Sequence, residues 1–182
     1  MKTMPMQFYT SAAGKALTRE RFASLAVLFH WTRDLDTALK ILSDGYLRGR
    51  PGLSTSENPA FGTPGPVVFV LAPGAILKRG FTLWPFLYAP GYEQEAEWLV
   101  GGSDAVRDGN HIFSSRVLLP LRGVVRSIGY TPGWTRRFPE RVRALRAAAG
   151  RLDIPVRMFD WTRWWGGAGP VVARRNLGKG RR

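Results

Sequence analysis

The sequence predicts a single α+β domain, and three observations predict it. Several segments have strand length rather than helix length, the apolar runs 25–30 and 67–71 and the stretches 116–121 and 123–128. Two other segments, 34–45 and 139–150, repeat their apolar residues at helical spacing and carry helix start and stop residues. A chain of 182 residues, 45% hydrophobic, is long enough to bury its own core and short enough for one domain.

Each element follows from its own residues. Residues 1–22 are polar and mixed, and read as a loose lead-in with one short helix. The run 25–30 reads as a buried strand. In the helix after it, Asp34 or Asp36 serves as cap, Leu35, Ala38, Leu39 and Leu42 share one face, and Gly45 takes the position just past the end. Residues 48–52, with Pro51, read as a basic turn, 53–56 as a short polar strand, and 57–66 as a loop rich in Pro and Gly. The all-apolar run 67–71 is a central strand. Pro, Gly and aromatics over 73–94 read as one long connection packed on the domain. A strand is expected over 95–100, a polar loop over 101–110, and two strands over 116–121 and 123–128. The helix over 139–149 has Pro139 in its first position, Glu140 in its first turn and Gly150 after it, with Val142 and Leu145 inward. A last strand is expected over 155–159. The domain is expected to span 1–165, with a flexible Gly- and Arg-rich tail at 166–182.

Composition narrows the function classes. With no cysteine there is no disulfide framework and no thiolate metal site, which suits a reducing compartment. No apolar signal segment opens the chain, and the apolar stretch 67–77 is interrupted by Pro73 and Gly74 and too short to cross a bilayer. The expectation is a cytoplasmic protein of a bacterial or phage-infected cell, with no membrane partner and no metal. Charge is unevenly placed. Residues 1–112 hold 11 Lys/Arg and 10 Asp/Glu, whereas residues 113–182 hold 16 and 3, a net +13. A balanced front and a cationic back call for an acidic macromolecule, most simply nucleic acid or a nucleic-acid-associated protein. Arg136, Arg137, Arg141, Arg143 and Arg146 are its candidate contacts; the last three lie off the inward stripe of their helix. Trp161, Trp164 and Trp165 lie among arginines farther on, a mix suited to base stacking or to packing on the sheet.

Three short segments carry the candidate chemistry: His30-Trp31-Thr32, Ser54-Thr55-Ser56 and Glu95-Ala96-Glu97. Strand alternation sets Glu95 and Glu97 on one face. Neighbouring carboxylates repel, which sheet stability does not favour but a site that stabilises developing positive charge does. His111 lies in a polar loop and reads as structural.

In this order, with a helix and Gly between the first two segments, the pattern resembles the ADP-ribosyltransferase superfamily over residues 25 to about 130. The resemblance implies a split, mixed or antiparallel β-sheet with NAD in its cleft. It implies that His30 contacts the NAD ribose, with Thr32 beside it, and that Ser54 and Ser56 shape the nicotinamide pocket. Glu97 would contact the nicotinamide ribose and stabilise the transition state, and Glu95 would orient the acceptor. Tyr46 and Phe61, with Tyr92, are candidates to stack on nicotinamide, and Arg48 and Arg50 to pair with the diphosphate. The chain joins a first-strand His to Ser-Thr-Ser, where family members pair Arg with Ser-Thr-Ser or His with Tyr and Glu. The implied activity is mono-ADP-ribosyl transfer from NAD to a nucleic acid or protein, as in a toxin or phage effector. The alternative is a non-catalytic basic nucleic-acid-binding or virion-associated protein on a degenerate transferase fold. A third reading, removal of an RNA 2′-phosphate with NAD, asks for more Arg and His than the single His30 offers.

Overall fold

The computed structural model describes residues 20, 22–50, 52–59, 66–85, 97–102 and 116–159. Residues 1–19 and 21 of the expected lead-in, the segment 86–94, the loop 103–110, His111, the three tryptophans of 161–165 and the tail lie outside them. The described chain is mixed α+β. In order it runs β1 (Leu28–Thr32), α1 (Leu35–Asp44), β2 (Tyr46–Gly49), β3 (Leu53–Ser56), β4 (Val67–Leu71), α2 (Pro73–Lys78), β5 (Thr82–Pro85), β6 (Glu97–Gly101), β7 (Val117–Pro120), β8 (Val125–Tyr130), α3 (Pro132–Arg137), α4 (Pro139–Gly150) and β9 (Val156–Met158).

Seven strands form one sheet in the order β5-β6-β3-β1-β4-β8-β9, and β2 pairs with β7 separately. Every pairing is antiparallel except β8 with β9. The pairing of β1 with β3 registers at one residue pair, Phe29 with Ser56, whereas β1 and β4 register over all five residues of each.

Alternation along the strands makes two faces. Leu28, Leu53, Phe69, Leu71, Trp98, Val100 and Ile128 face the main core, where Leu35, Ala38 and Leu42 of α1 meet Val142, Leu145 and Ala149 of α4. Phe29, Val68 and Val70 face the other way, with Trp31 and Phe159 against them. α1 has the ends its residues demand. The Asp34 carboxylate accepts from the Thr37 N–H at 2.7 Å, and Gly45 closes the helix at φ 81°.

Some expectations are corrected. The turn expected at 48–52 begins inside a strand, β2, because Leu47 is fully buried against the core. The connection expected from 73 contains α2 and β5, anchored by Ile76 and Leu83. α3 was not expected at all. In α2, α3 and α4 alike, Pro occupies the first turn, where its missing N–H costs nothing. Gly150 closes the last turn of α4 rather than following it.

Candidate functional site

β1, β3 and β6 are neighbours in the large sheet, in the order β6-β3-β1. This brings together one residue from each of the three segments singled out in sequence. The Ser54 hydroxyl donates to Oε1 of Glu97. The His30 ring meets the Ser54 carbonyl through Nδ1 at 2.9 Å. A carbonyl only accepts, so Nδ1 carries the proton, and Nε2 of the neutral ring presents a lone pair. Ser54 is exposed, and His30 and Glu97 are half-buried, so the chain of bonds reaches solvent.

The local fold explains the linkage. Ser56 sits directly opposite Glu97, so Ser54, two residues away, reaches the carboxylate diagonally on the same face. By alternation His30 belongs to the face of Leu28, opposite that of Ser54 and Glu97. Its ring nonetheless reaches a β3 backbone atom two residues beyond the Phe29–Ser56 pair. Packing around the ring holds the His30 pKa below its ordinary value, with the Ser54 carbonyl pulling weakly the other way.

The inner side of β3 supports the site from beneath. Thr55 is buried and its hydroxyl donates to the Trp98 carbonyl at 2.7 Å. The Trp98 indole N–H donates to the Glu57 carboxylate. Glu57 was not singled out in sequence, and no motif marks it. It tethers the residue next to Glu97.

The remaining candidates are dispersed. Thr32 is buried, with its hydroxyl donated to the Val67 carbonyl at 3.2 Å. Ser56 is buried and its Oγ accepts from the Asn58 N–H at 2.9 Å. Arg48 pairs with Asp44 at 3.0 Å and lies over the Tyr46 ring, both residues on β2 of the smaller sheet. Arg50 is exposed after β2. Glu95 and Phe61, with Tyr92, lie outside the described residues. Among the described residues no group of three or more His, Asp or Glu is placed to hold a metal ion.

No family model and no curated protein matches this chain.

The cationic candidates form a second region on α3 and α4. Arg136, Arg137, Arg141 and Arg143 are exposed, and the Arg141 guanidinium lies 5.5 Å from the Phe138 ring centre. Arg146 is committed differently: it donates to the Tyr130 hydroxyl at 3.0 Å. Among the described residues no helix is long and apolar enough to cross a membrane.

Proposed function

We propose that the chain is a mono-ADP-ribosyltransferase that moves ADP-ribose from NAD to a macromolecular acceptor in the cytoplasm of a bacterial or phage-infected cell. The observation that carries this reading is the bonded series His30–Ser54–Glu97 across three adjacent strands. A hydroxyl bonded to one carboxylate oxygen fixes the direction of the other, which is what electrostatic stabilisation of a transient cation requires.

The chemistry follows. The bond between the ribose anomeric carbon and the nicotinamide nitrogen breaks, and nicotinamide leaves with the electron pair. The ribose becomes oxocarbenium-like, as in glycoside hydrolysis, and the Glu97 carboxylate stabilises that charge. The acceptor nucleophile then bonds to the anomeric carbon and gives up a proton. Neutral His30, with Nδ1 on the Ser54 carbonyl, holds in place the stretch of β3 whose hydroxyl orients Glu97. The partner that suits the basic C-terminal third is nucleic acid or a protein bound to it.

The test is release of free nicotinamide from NAD incubated with the protein and cell lysate, with the labelled product identified. Glu97→Gln keeps the size and removes the charge. It should lower turnover by roughly 10²–10³-fold while leaving NAD affinity nearly intact. Equal turnover in both forms ends the transferase reading.

A second reading, a non-catalytic nucleic-acid-binding protein on this fold, is favoured by one observation. The two ion pairs among the described residues both involve Asp44, and neither touches residues 116–159. Nucleic-acid binding without nicotinamide release from any acceptor would select it.

A further inference from the structure

We infer that the arginine-rich surface of α3 and α4, together with the groove between α3 and β9, docks single-stranded nucleic acid, the arginines holding phosphates and the groove receiving an unpaired base.

Residues 116–159 hold 10 Arg and only two acids, Glu140 and Asp153. None of these arginines has a carboxylate partner among the described residues. Arg122 and Arg146 are occupied by a backbone carbonyl and by the Tyr130 hydroxyl. Arg136, Arg137, Arg141 and Arg143 are exposed, with no ion pair among the described residues. So dense a set of like charges repels itself and lowers its energy by meeting a polyanion.

Aromatic and apolar surface is interleaved with this charge. Phe138 is 37% exposed under the Arg141 guanidinium, and Trp134 packs against its ring at 5.2 Å between centres. Beside them a groove of about 580 Å³ is lined by Tyr130, Pro132, Gly133, Arg136 and Met158. Met158 is 60% exposed, which leaves its side chain open to a ligand in the groove. Gly133 adds no side chain to the wall. A mostly apolar lining with one guanidinium, that of Arg136, suits a base lifted out of a strand, with its phosphates on the neighbouring arginines. A duplex keeps its bases stacked and offers the groove nothing.

The inference rests on charge and the groove, not on the transferase reading, and its test contains no NAD. Binding of the full chain to labelled single-stranded and duplex oligonucleotides of mixed sequence is measured by fluorescence anisotropy at two salt concentrations. Single strands should bind tighter than duplex, and affinity should fall steeply and log-linearly with salt. The triple variant R136Q/R137Q/R143Q should weaken single-strand binding tenfold or more and make the salt slope shallower by about two units or more. Gln has a helix propensity close to that of Arg, so circular dichroism should be unchanged. Met158→Glu sits on exposed surface and should abolish the preference for single strands. Undetectable binding at low salt, duplex binding as tight as single-strand binding, or displacement by polyglutamate as effective as by an oligonucleotide each overturns it. The last result would assign the surface to an acidic protein.

Discussion

Ser54 does two jobs with two different atoms: its hydroxyl donates to Glu97 and its carbonyl accepts from His30. Substitution separates them. Ser54→Ala removes the hydroxyl that donates to Glu97 and leaves the backbone bond to His30. We expect kcat for nicotinamide release to fall about tenfold or more with little change in KM, because a group that acts only in the transition state leaves ground-state binding intact. A change confined to KM would place Ser54 in NAD binding instead. Ser54 is exposed, so thermal stability should shift by less than about 0.5 kcal/mol. His30 makes a prediction about pH. Its pKa in the folded chain lies below the ordinary 6.5, chiefly through burial. The unfolded chain therefore binds its proton first as pH falls, so folding stability is full above about pH 6.5 and declines below it, toward the folded-state pKa. Replacing His30 with Asn should flatten the dependence of Tm on pH between about 7.5 and 5. An unchanged profile would mean that carboxylates, not His30, set the acid response.

At the scale of elements, α1 shows how much local chemistry decides. Asp34 caps its start and Gly45 its end, and both positions are visible in sequence because each needs a particular side chain, or none. Gly45→Ala meets no neighbouring atom, yet its φ of 81° is costly for any residue with a Cβ, so about 1 kcal/mol of stability should be lost in urea unfolding. Gly129 is the contrasting case: a Cβ there would lie 2.5 Å from Cβ of Phe159 and 2.7 Å from Cγ1 of Val68. Gly129→Ala should cost about 1–3 kcal/mol by overpacking, read in the same urea unfolding. Where sequence misleads, it does so for physical reasons. α2 and α3 have six residues each, too few for propensity to stabilise, and exist because the core receives Pro73 and Ile76 from one and Trp134 from the other. Their Pro and Gly read as a connection and instead begin helices. The three site segments are legible because the His, Ser and Glu are rare choices in strands of such short length. That His30 reaches Ser54 is not legible. Period-two alternation assigns its ring to the other face, and nothing in a single strand announces where its pairing with the next one stops.

Across the whole molecule, charge and sheet architecture act together. Residues 116–159 carry a net +8 without internal ion pairs among the described residues. Screening that repulsion should stabilise the fold, so Tm should rise by a few degrees between about 50 and 300 mM salt, a span over which the Debye length shortens markedly. A fall in Tm would mean that attractive pairs dominate. The large sheet has one weak seam. With β1 and β3 in register at Phe29 and Ser56 only, β5-β6-β3 and β1-β4-β8-β9 are two leaves hung on a single rung. The imidazole of His30 acts as a clasp across the gap, bonded to one leaf and rooted in the other. Opening of the leaves, rather than global unfolding, then governs how fast the amides at this rung exchange with solvent deuterium. Anything seated between the leaves and gripping both would slow that exchange at β1 and β3 while leaving the centre of β4 untouched.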